Sequence, residues 1–173
     1  MLLGSVVVSV VLAAGYGALH DQLSYTVSPE YFTRFKYEQF GFEPAWFGGN
    51  RPTVALIGVL ATWWMGLFVG VVFALTGAVC LRLAWLLPVV GRAVGWAFTV
   101  VVGAEMVGYG YGRLVLARTG VDWWLPEHLV HPADFITVGS MHNSAYLGGL
   151  LGLVFGVAYI VWRGRMLRLA TGS

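Results

Sequence analysis

Residues 53–81 read TVALIGVLATWWMGLFVGVVFALTGAVCL and carry no charged side chain. A helix needs about 20 apolar residues to cross the ~30 Å hydrocarbon core of a bilayer. Pro52 directly precedes the segment, and proline suits the first turn of a helix. The segment therefore predicts a transmembrane helix that is longer than one crossing requires, so that it tilts or projects.

Three further stretches are similarly apolar and lie at residues 2–19, 93–112 and 134–162, of which the second contains one acid, Glu105, and the third begins at Asp134. In lipid, only helices and closed barrels satisfy all of their backbone polar groups. These stretches lack the alternating pattern of barrel strands. We therefore expect an all-α membrane protein, a four-transmembrane-helix bundle that forms a single integral membrane domain over residues 1–173.

The composition agrees with a lipid bilayer as the surroundings of the chain. Of the 173 residues, 58% are hydrophobic and 10% are charged, whereas a soluble domain carries about 25% charged residues. This excludes the soluble globular and disordered classes, and the lack of a basic run argues against nucleic acid as a partner. Cys80 is the sole cysteine, which excludes an intrachain disulfide and a cysteine-based metal cluster.

The distribution of charge predicts an orientation, because cytoplasmic segments carry an excess of Lys and Arg. The link between spans two and three and the C-terminal end hold basic residues without nearby acids, whereas loops 20–52 and 113–133 mix both signs. The two groups hold equal numbers of basic residues, so only charge density favours outer loops at 20–52 and 113–133 and cytoplasmic termini. We expect the first span to be retained rather than cleaved, because no basic side chain precedes Val6.

The first outer loop contains a helix signal. Ser28, Pro29 and Glu30 match an N-cap, a first-turn proline and a first-turn acid. Gly41 matches a C-terminal stop. The loop therefore predicts an interfacial amphipathic helix with its aromatic side chains at headgroup depth. Its acids, including Glu30, are expected to pair with Arg34.

Small residues recur at every fourth position of the predicted spans. Membrane helices associate through the close backbone approach that such residues allow. We expect these ridges to pack inside one bundle, with a homo-oligomer or a partner membrane subunit as the alternatives. The ridge of the fourth span consists of Ser140, Ser144, Gly148, Gly152 and Gly156.

Glu105 and His142 are ionisable residues inside the spans, and His20 and Asp21 directly follow the first span. Such residues are costly in hydrocarbon, face protein or water, and are functional candidates for that reason. At 1.5 Å per residue, Glu105 lies about 10 Å and His142 about 12 Å from the outer ends of their spans. His20 and Asp21 lie where the first span meets the outer surface. All four therefore converge on the outer half of the bundle.

Imidazole and carboxylate groups are ligands for Zn, Fe, Cu and Mn. The predicted metal-binding set is therefore His20, Asp21, Glu105 and His142. A bis-histidine haem is disfavoured, because the two histidines differ in estimated depth.

Three polar neighbours are candidates for binding a cofactor or ligand. Tyr109 shares the helix face of Glu105, and Tyr146 shares that of His142. Asn143 points to the opposite side of its helix and need not serve the same site. Two other roles for the cluster stay open, namely a proton relay or polar head-group site and a buried hydrogen-bonded pair that fixes helix register.

Two segments carry a resemblance, residues 20–32 (HDQLSYTVSPEYF) and residues 142–146 (HNSAY). Both resemble segments of a family of small uncharacterised bacterial polytopic membrane proteins. The resemblance implies a bacterial origin and therefore the inner membrane. It implies no activity.

The sequence favours an integral membrane protein with a buried polar site near the outer face, which binds a metal ion or a small ligand, with redox chemistry as one option. The alternative is a non-catalytic membrane subunit that packs through its glycine ridges and presents loop 20–52 to a partner. No catalytic residue and no reaction are predicted.

Overall fold

Four long helices dominate the computed structural model, which describes residues 2–171. Each is long and apolar enough to cross a membrane, and the described part of the chain contains no strand. The prediction of an all-α four-helix membrane fold is confirmed. The elements in chain order are α1 (Leu2–Val27), α2 (Pro29–Tyr31), a π-helix (Phe32–Lys36), α3 (Tyr37–Phe40), a 3₁₀ helix (Pro44–Phe47), α4 (Asn50–Cys80), α5 (Leu83–Tyr111), a second π-helix (Gly112–Leu116), α6 (Ala117–Thr119) and α7 (Pro132–Thr171).

The long helices extend past the predicted spans. α1 continues through Asp21 to Val27, and α5 begins at Leu83 rather than at residue 93. The prediction ended each span near a charged side chain, but a helical backbone continues wherever that side chain is buried with partners or reaches the surface. Asp21 is buried, and Arg92 is exposed on the surface of α5. The connections are therefore shorter than the predicted loops.

Small residues hold the helices together in two close pairs, α1 with α4 and α5 with α7. A Cβ added at Gly17 would meet the carbonyl oxygen of Gly58, and one added at Gly58 would meet that of Gly17. In the other pair, a Cβ at Gly152 would lie 2.9 Å from the carbonyl oxygen of Ala97. The ridges thus bring backbones into contact within a single chain.

Residues 28–40, called the cap below, cover one end of the bundle. Ser28 Oγ accepts the backbone N–H of Tyr31 at 3.3 Å, and Gly41 ends the helical segment in the left-handed region at φ +65°. Tyr31 and Phe32 are buried and pack against Phe135 of α7. The aromatic side chains of both residues therefore fill the protein core between the cap and α7 instead of facing the surroundings of the protein.

Glu30 joins the cap to the segment that precedes α7. Its carboxylate accepts the backbone N–H of Val130 at 2.9 Å and that of His131 at 2.7 Å. The hydrogen bonds of Glu30 thus go to backbone donors instead of the expected partner, Arg34. Glu30 thus links the connection between α1 and α4 to the connection between α6 and α7.

Candidate metal centre

Two histidines from the first and last long helices meet at one aspartate beneath the cap. His142 Nε2 lies 3.3 Å from Asp21 Oδ1, and His20 Nε2 lies 3.9 Å from the same oxygen. The imidazole ring centroids are 4.5 Å apart. The three residues are between 3% and 6% exposed, so bulk water does not solvate the cluster. Asp21 Oδ2 is also buried and has no hydrogen-bond partner among the described residues.

Hydrogen bonds on the far sides of the rings fix which nitrogens face Asp21. His142 Nδ1 lies 3.0 Å from the carbonyl oxygen of Val138, and His20 Nδ1 lies 2.9 Å from Glu105 Oε1. When a neutral ring donates from Nδ1 to such an oxygen, its Nε2 presents a lone pair. In that tautomer two lone pairs point at one carboxylate oxygen, and a cation between them, a metal ion or a proton, stabilises the arrangement.

The spacing of these atoms suits a single ion. His20, Asp21 and His142 each offer one ligand atom, and these atoms all lie within 4.8 Å of one another. Metal bonds to nitrogen and oxygen are about 2.0–2.2 Å long, so atoms that share an ion lie at most about 4 Å apart. The limit of 4.8 Å is somewhat longer than this, so the side chains would have to rotate toward an ion to bind it together.

Glu105 lies behind His20 rather than on the ligand face. One carboxylate oxygen faces His20 Nδ1, and the other accepts the hydroxyl of Tyr16 at 2.9 Å. Such a carboxylate–histidine contact orients the ring and raises its basicity toward a metal. The structure brings Glu105 to the predicted cluster, but its contact is with the ring nitrogen that points away from Asp21.

The sequence reasoning missed Tyr16, Ser24 and Lys36. Tyr16 and Ser24 lie four residues before and after His20 on α1. This spacing places the three side chains on one helix face, so both neighbours could have been predicted from the sequence. Ser24 Oγ lies 3.4 Å from His20 Nε2. Lys36 comes from the cap, whose approach to the cluster depends on tertiary packing and had no local signal.

Lys36 is a buried cation at the top of the cluster. It is 5% exposed, and burial lowers the pKa of its ammonium group below the ordinary value. Its Nζ donates to Gln39 Oε1 at 3.1 Å and lies over the ring of Tyr31 at 5.9 Å. Tyr31 in turn packs on His142, with ring centroids 4.7 Å apart. The cap thus places a positive charge and an aromatic ring above the histidines.

The remaining predicted ligand-binding residues lie outside this cluster or at its margin. Tyr109 is 42% exposed on α5, and Asn143 is exposed on α7. Tyr146 is half-exposed and lines a cavity of about 150 Å³ beside the cluster, together with His20, Asp21 and His142. Of the three, the structure therefore places Tyr146 alone beside the histidines.

Comparison with known proteins adds no relative. No protein-family model matches the chain, no curated protein matches it at a significant level, and no solved structure does so. The resemblance of residues 20–32 and 142–146 to a bacterial membrane family stays a prediction.

Proposed function

We propose that this protein is an integral membrane protein that binds a divalent transition metal through His20, Asp21 and His142. The observation that carries the proposal is the convergence of two imidazole Nε2 atoms on one buried carboxylate oxygen, 3.3 and 3.9 Å away. Neutral rings that donate from Nδ1 direct their Nε2 lone pairs at this charged acceptor when no cation lies between them. A bound ion turns the same contacts into favourable ones.

The donor set, two imidazoles and one carboxylate, indicates which metals the site would bind. Two histidines and one carboxylate form the ligand set of hydrolytic zinc sites and of non-haem Fe(II) sites, both of which keep a position open for water or substrate. Cu and Mn also accept these ligands. Zinc would supply Lewis-acid chemistry and iron redox chemistry. The chain's own residues would orient the ligands, since Glu105 and the Val138 carbonyl hold the two rings by their Nδ1 atoms.

The setting of the site follows from the predicted orientation. With both termini in the cytoplasm, the cap lies at the outer face of the bacterial inner membrane, and the ion lies just beneath it. The cap covers the cluster with Tyr31 and Lys36. Residues 28–40, one part of the loop 20–52 that the alternative hypothesis presents to a partner, thus pack on this chain's own interior.

Elemental analysis of the purified protein tests the proposal. After expression with supplements of Zn, Fe, Cu or Mn, we expect about one metal ion per chain in the unaltered protein. Asp21→Asn and His142→Ala should each lose most of it, because each removes one of three ligands. His128→Ala is the matched control, since the His128 side chain is 89% exposed and is not part of the cluster.

Two results would count against the proposal. One is an unaltered protein that holds no metal under any of the four supplements. The other is a bound metal whose amount is the same in the Asp21→Asn and His128→Ala variants. Circular dichroism of each variant establishes that the helices are retained, so that loss of metal is not mistaken for loss of fold.

A further inference from the structure

A crevice between α1 and α5 leads from the lipid-facing surface to the metal centre. α1 packs closely on α4, and α5 on α7, but α1 and α5 have few contacts with each other. The 150 Å³ cavity beside the histidines lies at the meeting of the two pairs. A second cavity of about 310 Å³ follows the same crevice toward the other end of the bundle. The two cavities share Leu12 and Val94 as lining residues, so they are neighbours along one path.

The path is apolar along its length and polar at one end. The long part is lined by aliphatic and small side chains, such as Ala61, Met65 and Val101. The polar end holds Asp21 and Lys36, together with the two histidines. From Gly4 to Asp21 the lining covers most of α1, which corresponds to about 25 Å at 1.5 Å per residue. This length suits an extended hydrocarbon chain better than a compact molecule.

The crevice opens sideways between the helices. Leu12, Phe98 and Tyr146 line the cavity and are between 44% and 50% exposed. These residues belong to α1, α5 and α7 within the apolar spans, so their exposed faces meet lipid. A molecule dissolved in the bilayer can therefore enter the cavity without passing through the cap.

The charge at the polar end favours an anionic head group. With the metal bound, a divalent ion and one ammonium face the carboxylates of Asp21 and Glu105, which leaves one net positive charge. Lys36 is buried, and among the described residues no carboxylate lies within ion-pair distance of its Nζ. A buried ammonium without an ion-pair partner is costly, and an incoming anion removes that cost.

We propose that the cavity binds a single-chain lipid carboxylate, a fatty acid, whose chain lies in the α1–α5 crevice and whose head group meets Lys36 and the metal centre. The proposal rests on the metal site described above, because the ion supplies the positive charge that selects an anion. It makes a lipid-soluble molecule the ligand or substrate of the site. The length of the crevice selects the length of the hydrocarbon chain, and Lys36 selects the charge of the head group.

Palmitate binding to the metal-loaded protein in nanodiscs tests this assignment, with hexadecanol as the ligand of equal length and neutral head. We expect saturable binding of palmitate at about one molecule per chain, and binding of hexadecanol at least ~10-fold weaker. Lys36→Met should weaken palmitate by ~10-fold or more while the metal content stays unchanged. Lys36→Arg, which keeps the charge, should retain palmitate binding.

A pair of bulky substitutions tests the position of the chain. Ala61→Phe places a ring in the cavity and should reduce palmitate binding, whereas Ala78→Phe, at an exposed position on the same helix, should leave it unchanged. Equal effects of the two changes would remove the crevice as the binding site. Circular dichroism of both variants confirms that α4 is intact.

The metal content of each sample separates this proposal from the one on which it rests. Metal-loaded protein that binds no palmitate, that binds hexadecanol equally well, or that is indifferent to Lys36→Met overturns the lipid assignment alone. A protein that never holds a metal overturns the metal site, and the lipid assignment fails with it, as the elemental analysis shows before any binding curve is measured.

Discussion

At the scale of single residues, Glu105 shows how one contact sets the chemistry of another side chain. It faces His20 Nδ1 at 2.9 Å and so holds the ring with Nε2 directed at Asp21. A carboxylate well inside an apolar span was readable from the sequence as exceptional. Whether it would bind a metal directly or orient a ligand was not readable, because that depends on which ring nitrogen it meets.

Glu105→Gln should weaken the metal site without abolishing it. Loss of the orienting carboxylate typically costs about 10–100-fold in metal affinity. Competition with a chelator of known affinity measures the change, and Tyr16→Phe, which removes the hydroxyl that braces Glu105 Oε2, should give a smaller effect in the same direction. Complete loss of metal from Glu105→Gln would instead make Glu105 a ligand.

Glu30 provides a pH-dependent contact outside the spans. The pKa of its carboxyl lies below the ordinary value of 4.5, mainly because the backbone N–H of Val130 donates to it, with a second bond from His131. A pKa that is lower in the folded state means that the ionised form stabilises the fold. This contribution is complete above about pH 4.5 and is lost as the pH falls through the lowered value.

Glu30→Gln should therefore reduce the free energy of unfolding at neutral pH by about 1 kcal/mol, the typical worth of such bonds at a partly exposed site. The difference from the unaltered protein should shrink in acid, where the native carboxyl is also neutral. Denaturant unfolding at several pH values measures it. Glu38→Gln, at an exposed position of the cap, is the control. A difference between the unaltered protein and the Glu30→Gln variant that is constant with pH would contradict the assignment.

At the scale of the helices, what the sequence predicts well is what the bilayer dictates. Apolar length identifies four helices, because a membrane offers few other solutions to the backbone. The ends of α1 and α5 were misplaced because hydropathy registers charge and not the partners that allow a charge to be buried. The inward turn of Tyr31 and Phe32 was missed for a related reason, since an aromatic side chain suits both a headgroup layer and a protein core.

The pairing of α1 with α4 provides a test at this scale. Gly17→Ala places a methyl group against the carbonyl oxygen of Gly58, and overpacking of this kind costs about 1–3 kcal/mol. Gly15→Ala is a matched control on the same helix, because a Cβ there has nothing within 4 Å and alanine favours the helix. Unfolding in mixed micelles compares the two. If both variants are equally stable, α1 and α4 lie farther apart than they do in the structure.

At the scale of the whole molecule, the sequence predicts the bundle but only part of the site. It brings His20, Asp21, Glu105 and His142 to one region through estimated depth, and the structure places these four together. Estimated depth does not show which helices are neighbours. The position of Lys36 and the α1–α5 crevice could therefore not be predicted from the sequence. The rotational orientation of α5 and α7 in the bundle determines that Tyr109 and Asn143 face outward and that Tyr146 lines the cavity. The sequence does not give this orientation.

The orientation of the molecule is tested by labelling in a Cys80→Ser background. Trp46→Cys lies at an exposed position between the cap and α4, and Arg165→Cys lies near the far end of α7. A membrane-impermeant maleimide should label the first in intact bacterial cells and the second only after permeabilisation. The reverse pattern would place the cap in the cytoplasm.

The contact between α1 and α7 also has a consequence for the synthesis and membrane insertion of the protein. His142 follows Asp21 by 121 positions, and two further long helices lie between them in the chain. During synthesis, His20 and Asp21 enter the membrane long before their partner leaves the ribosome. Asp21 therefore lacks its contact with His142 until the last helix has been made, and a truncated chain without α7 would never form that contact.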